Sequence, residues 1–253
     1  MEDIDNEEIK GLQKESMYMD RLPRGYLSIS QVGQYQRCGM AYYYRYIEEV
    51  PVPTNSFMAQ GTAVHGGAEK LHLSLIDDMT PPPLGYIEAA YEGKIDELLS
   101  NPDLVIMPED VNGGHIKDIG IDLMRTYYAG ALGECKDLGD GATGNYRPIY
   151  PVAAERVVRT MLEIPDAEPV PFLGVIDLEE VDGVADLKVK RKMGPQGETD
   201  NSLQLSLYAH VTKKKRVRLD QLIKPSKKLA TRYLRRESIR TDREIAHALQ
   251  ITS

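Results

Sequence analysis

Two cysteines in 253 residues are too few for the sites that thiolates usually build. Cys38 and Cys135 are far apart and in no C-x-x-C spacing, so one chain cannot assemble a four-thiolate zinc or iron–sulfur centre. A single disulfide stays open, but two free thiols in a reducing compartment are the expectation. Long hydrophobic runs are missing too: none approaches the roughly 18–20 residues of a membrane-spanning helix. The acidic opening "MEDIDNEEIKGLQKES" has no apolar stretch of the kind a secretory signal carries. These absences lead us to expect a soluble, cytoplasmic protein with no membrane partner. Also absent are the phosphate loop G-x-x-x-x-G-K-[ST], a Rossmann glycine fingerprint, a Ser-His-Asp signature and any internal repeat.

What is present is length and charge. The chain is long enough for one large domain or two small ones, with a sizeable core. Its net charge of −8 argues mildly against a nucleic-acid partner. The distribution argues otherwise, because acids dominate the first half while "KVKRK", "KKKRVR", "KPSKK" and "RYLRR" crowd the region after Lys188. Phosphate binding depends on local potential rather than on net charge. The plainer alternative is that these runs are solvated faces near strand ends.

Along the chain, residues 1–24 read as a flexible acidic tail. Ser28 or Ser30 caps a helix running toward "PVPTNS". Further helices follow at "AQGTAVHGGAEKLHLSLID", "YIEAAYEGKIDELLS" and "GGHIKDIGIDLMRTYYAGALGE". After the turn "GDGATGN" the pattern changes. "YPVAAERVVRTMLEI" reads as a strand, and "FLGVIDLEEV" and "GVADLKVK" as a hairpin across "VDG". "DNSLQLSLYAHVTKK" returns to helical spacing, "RVRLDQLIK" and "LATRYLRRES" are strands, and "TDREIAHALQ" is a helix with a capping box at Thr241 and Glu244. The order gives an α+β or α/β core in residues 141–253 behind a mostly helical portion in residues 25–140, taken together as one domain over 25–253.

The hairpin raises the chemical question. Asp177 and Asp186 end two apolar runs and fall near one another on adjacent strands, with Leu178 and Leu187 turned to the opposite, core-facing side. Lys188 shares the side of Asp186. Desolvated charges destabilise a fold by several kcal/mol each unless matched, whereas converging carboxylates suit Mg²⁺ or Mn²⁺ with a phosphate completing the shell. The alternative is an exposed hairpin with an ordinary ion pair, worth about 0–1 kcal/mol. His65, Glu69 and His72 share a helix face, but not at H-E-x-x-H spacing. The tyrosines at 42–44 and 46 read as packing residues rather than base-stacking platforms.

An apolar strand ending in Asp, a turn, then Asp-x-Lys on a second strand resembles the PD-(D/E)XK nuclease superfamily. "SISQVGQYQRCGMAYYYRY", "GTAVHGGAE", "GVIDL", "ADLKVK" and "QLSLY" resemble, in order from Ser28 to Tyr208, the motifs of its RecB-type exonuclease branch with phage and CRISPR-adaptation relatives. The resemblance implies a restriction-endonuclease-like core, a central mixed β-sheet flanked by helices. It implies a metal-dependent DNA nuclease, an exonuclease leaving 5′-phosphates in recombination, repair or phage DNA processing. One or two Mg²⁺ or Mn²⁺ ions would sit on His65, Asp177, Asp186 and the Leu187 carbonyl. Lys188 would be the catalytic lysine, and Gln204 and Tyr208 would contact the DNA backbone or support the site. Glu155 resembles a supporting acidic position. The implied substrate is DNA, single-stranded or at duplex ends, with a recombination or CRISPR-adaptation protein as partner. The alternative is a catalytically silent or complex-dependent DNA-binding module of the same fold, as in CRISPR spacer capture. Relatives that carry an iron–sulfur cluster use three further cysteines near the C-terminus; nothing after "QLSLY" supplies them, so no cluster is expected and Cys38 reads as a small buried hydrophobe.

Overall fold

The structure, a computed structural model, describes residues 22–108, 110, 112–134, 146–164 and 167–252. Most of the expected acidic tail, Cys135 and the turn "GDGATGN" lie outside the described residues. Helices α1 (Ile29–Arg37), α2 (Gly39–Tyr42), α3 (Ser56–Asp77), α4 (Leu84–Leu99) and α5 (Gly113–Ala131) come first, with a π-helical turn over Tyr43–Ile47. Strands β1 (Pro151–Leu162), β2 (Val170–Glu180) and β3 (Gly183–Lys190) follow. After them come α6 (Gln196–Asp200), α7 (Leu203–Thr212), β4 (Arg216–Ile223), β5 (Arg232–Ile239) and α8 (Asp242–Ile251). Side-chain oxygens cap four of the helices at their first turns, and a fifth through a capping box. Ser28 accepts the Gln31 N–H, Asn55 the Met58 N–H, Asn112 the His115 N–H and Ser202 the Leu205 N–H. The predicted capping box of Thr241 and Glu244 is formed.

The five strands make one sheet in the order β1-β2-β3-β4-β5. Neighbours are antiparallel except β3 and β4, which run parallel. A parallel pair needs a crossover, and α6 and α7 supply it. Two apolar cores lie on the two faces. One joins α3, α4 and α5, through Leu71, Ile95 and Leu123, to Leu178, Leu187, Leu222 and Tyr233 of the sheet. The other joins Val32, Leu205, Leu207 and Leu249 of the helices to Phe172, Ile176, Val184 and Val217. The mixed sheet flanked by helices, behind a helical N-terminal part, is the restriction-endonuclease-like α/β arrangement. Close approach of α5 to its neighbours relies on glycine. A Cβ at Gly120 would lie 1.8 Å from the Tyr91 ring, and one at Gly130 would lie 2.1 Å from Tyr233. No helix among the described residues is long and apolar enough to cross a membrane.

Four expectations need correction. The first helix does not continue to "PVPTNS": it breaks at Cys38, which is extended (φ −166°, ψ 109°) before Gly39, a weak helix former. Cys38 is therefore off the packed face and exposed, not a buried hydrophobe. Of the clustered tyrosines only Tyr46 is buried, while Tyr43 and Tyr44 are largely exposed. The runs "KKKRVR" and "RYLRR" are neither solvated faces nor free to bind phosphate as wholes. Lys214 pairs with Glu179 (2.7 Å), Lys215 with Asp242 (2.8 Å) and Arg216 with Asp182 (2.8 Å). Buried Arg218 pairs with Asp220 (2.9 Å) and with Glu180, and Arg235 donates to Tyr233 Oη (2.8 Å). A guanidinium satisfied by buried acids tolerates desolvation that an unmatched one would not.

Two helical glycines should respond to alanine with opposite signs. Gly120→Ala overpacks the Tyr91 contact and should destabilise by about 1–3 kcal/mol. Gly93→Ala, which meets nothing within 4 Å on α4, should stabilise by about 0.5–1 kcal/mol. Urea melts of the two variants measure both.

Candidate metal and catalytic site

The site grows from a fault in the sheet. The β1–β2 register pairs Ala154 with Leu178 and Arg156 with Ile176, passing over Glu155 and Asp177 between them. The β2–β3 ladder pairs Leu178 with Ala185 and Glu179 with Val184, and stops where Asp177 would meet Asp186. Continuing both registers places Glu155, Asp177 and Asp186 on one line across three strands. The backbone shows the fault directly. Glu155 has φ +44°, a left-handed conformation costing roughly 1 kcal/mol or more without glycine. In β2, Ile176 packs in the α7-side core and Leu178, two residues on, in the α3-side core, so the period-two alternation breaks at Asp177. In place of a ladder bond, the Asp177 carboxylate accepts the Leu187 N–H at 2.7 Å.

Helix α3 brings His65 over this line. Its Nε2 donates to the Leu187 carbonyl (2.9 Å), which can only accept. Its Nδ1 faces Glu155 Oε1 (3.4 Å) and Asp177 Oδ2 (3.7 Å). Burial alone would lower the imidazole pKa. The Glu155 hydrogen bond and the charges of Asp177 and Glu155 outweigh it, and outweigh Lys188, holding His65 at about 9. Burial pushes the Asp177 and Asp186 carboxyls up, Asp186 to about 6, against the pull of Lys188 and His65. The Lys188 ammonium, 2.8 Å from Asp186 Oδ1, is opposed by burial but raised on balance by Asp186 and Asp177, and so stays protonated.

Helix α7 grips the two strands where they part. Gln204 Nε2 donates to Asp186 Oδ1 (2.7 Å) and to Tyr208 Oη (3.2 Å), and Tyr208 Oη donates to the Val175 carbonyl (2.5 Å), two residues before Asp177. Tyr208 is buried, so this pair braces the carboxylates rather than facing outward. The site opens into a cleft of about 370 Å³ lined in part by Met58, Gly61, Thr62, His65, Glu155 and Lys188.

Ligand atoms of His65, Glu155 and Asp177 all lie within 4.8 Å of one another, a span that one cation can bridge. Two carboxylates, an imidazole and the neighbouring Leu187 carbonyl form a mainly oxygen donor set that fits Mg²⁺ or Mn²⁺. A cation there would offset the charge that burial now disfavours on the aspartates. The structure thus brings together His65, Glu155, Asp177, Asp186, Leu187, Lys188, Gln204 and Tyr208. His72 does not join them. It lies on the same face of α3 two turns further on, buried with Nε2 2.6 Å from Tyr127 Oη, and burial lowers its pKa to about 3, keeping it neutral. Sequence reasoning missed the Val175 carbonyl as an anchor and Phe57, which lines the cleft. The first is a backbone atom without a residue-type signal. The second is one of two phenylalanines in the chain and stands in the first turn of the helix that carries "GTAVHGGAE".

Carboxylates on a line across a mixed α/β sheet, with an ammonium beside them, make an arrangement suited to holding a divalent cation next to a hydrogen-bond donor. The family model of the PD-(D/E)XK nuclease superfamily matches residues 26–250, and the chain belongs to that superfamily. No curated protein matches the chain. Among solved structures, the crystal structure of SSO0001 is similar at 10% identity, over 94% of this chain and 86% of that one, with a TM-score of 0.31. A likeness at that level carries no argument.

Mn²⁺ binding should be proton-linked. His65 is protonated below about 9 and must lose a proton to ligate, so affinity should rise about tenfold per pH unit from pH 7 to 9 and then level off. Calorimetry in buffers of different ionisation enthalpy counts the released proton. An affinity flat across that window would remove His65 from the ligand set.

Proposed function

We propose that this chain is a Mg²⁺- or Mn²⁺-dependent deoxyribonuclease of the RecB-type branch, an exonuclease that leaves 5′-phosphates and serves recombination, repair or phage DNA processing. The observation that carries the reading is the convergence of Glu155, Asp177, Asp186, Lys188 and His65 on one fault line of the sheet. One or two bound divalent ions would neutralise charge on the phosphate oxygens and acidify a water. Glu155, Asp177, Asp186, His65 and the Leu187 carbonyl would hold them. Lys188, kept as an ammonium by Asp186, orients the attacking water and donates to the phosphate as negative charge builds. The water oxygen bonds to phosphorus and gives its proton to bulk water, the P–O3′ bond breaks, and O3′ leaves as a hydroxyl after taking a proton from a second water. Gln204 and Tyr208 act through Asp186 and Val175 as positioning residues. We read residues 25–253 as one nuclease domain acting in the cytoplasm. With two cysteines, the chain cannot build a four-thiolate iron–sulfur cluster by itself.

The test is digestion of end-labelled linear and closed circular DNA in Mg²⁺ and in Mn²⁺. Asp186→Asn and Lys188→Ala should each lower digestion at least about a hundredfold, with a melting midpoint close to that of the unaltered chain. Gln204→Ala should cost about 10–100-fold. Exonuclease action predicts that linear DNA is consumed and circles are spared. DNA binding without cleavage in any divalent metal would instead support the silent-module reading, in which a partner protein completes the function.

A further inference from the structure

A second cleft of about 490 Å³ adjoins the first, sharing Phe57, Lys188 and Val189 with it. Its other lining includes Met107 and the cations Lys190, Arg191 and Lys192, and no acid lines it among the described residues. Phe57, at the start of α3, organises this wall. The Arg191 guanidinium lies 5.4 Å from its ring centroid and the Lys224 ammonium 4.7 Å. The two cations come from different strands whose exits are tied together: the Lys224 N–H donates to the Lys190 carbonyl at 2.8 Å, just past the parallel β3–β4 register. Lys190 pairs with Glu198, and the side chains of Arg191 and Lys192 are exposed on the rim.

We propose that this cleft is a backbone-phosphate subsite, holding a phosphodiester of the same strand beside the one at the metal site. The inference rests on the nuclease reading and adds to it the residues that hold the strand. Arg191 and Lys192 meet the phosphate, and the apolar floor of Phe57, Met107 and Val189 takes the sugar. Phe57 is a positioning residue that fixes where the Arg191 and Lys224 charges stand. A strand, rather than a free anion, is the occupant because the cleft opens directly into the carboxylate site through Lys188. Its size falls in the range of a small-molecule pocket, roughly 300–1,000 Å³.

The experiment is fluorescence anisotropy of a labelled single-stranded 12-mer oligonucleotide with the full chain, in EDTA, over a salt series. Each neutralised phosphate contact contributes about 0.7 to the slope of log affinity against log salt for a single strand. Arg191→Ala and Lys192→Ala should each weaken binding several-fold and flatten that slope by about 0.7. Phe57→Leu should flatten it in part, and Phe57→Tyr should restore it. Lys70→Ala, an exposed cation elsewhere on α3, should leave it unchanged. If Arg191→Ala and Lys192→Ala give the same slope as Lys70→Ala while the unaltered chain binds and digests DNA, the subsite is wrong and the nuclease reading stands. If the unaltered chain neither binds the oligonucleotide nor digests DNA, both fail together.

Discussion

The arrangement depends on one constraint: carboxylates placed in mid-sheet cannot coexist with an unbroken ladder. A regular pair at Asp177 and Asp186 would set two buried like charges opposite one another, which destabilises cross-strand pairing. The chain resolves this by letting β2 and β3 part after two paired positions. The freed Leu187 N–H then goes to the Asp177 side chain, and the freed Leu187 carbonyl to His65. The same groups that satisfy the backbone are the ones a cation would use. Glu155 adds its left-handed kink on the neighbouring strand. Strain of this kind persists only where its surroundings hold it, and here α3 from one face and α7 from the other provide the support.

Much of this was legible in residue patterns, for identifiable reasons. Helices α3 to α5 and the β2–β3 hairpin carry their own periodicity, so local rules suffice. The crowding of Asp177, Asp186 and Lys188 followed from strand alternation plus a short turn. His65, Gln204, Tyr208 and Glu155 were assigned by resemblance, and their spatial convergence with the hairpin is set by tertiary packing that no local pattern encodes. Alternation failed at Asp177 itself, because a side chain that replaces a backbone acceptor lets the strand turn over. Cys38 was misjudged for a related reason. Residue type says buried, but the helix break at Cys38 itself decides which way the side chain faces.

The basic segments show the limit of reading charge from composition. Lys214, Arg216 and Arg218 sit in a cluster beside Glu179, Glu180 and Asp182, and that cluster depends on a tertiary meeting of the β2–β3 turn with β4. What a run of lysines does is set by whether acids from elsewhere arrive next to it. At the exits of β3 and β4 the acids of the hairpin turn do not arrive, because parallel strands end on the same side and that turn lies at the other end; Lys190 pairs there with Glu198 from α6 instead.

That division of cations bears on how a polyanion would reach the proposed site. The molecule as a whole is acidic, at −8, while the rim around Arg191 and Lys192 is locally basic. At the physiological screening length of about 8 Å, an approaching strand feels the charges nearest to it more than the net charge of the whole chain. In dilute buffer the net negative charge extends its repulsion well beyond the surface. Encounter should therefore be fastest at an intermediate ionic strength, slowed by long-range repulsion below it and by loss of the local attraction above it.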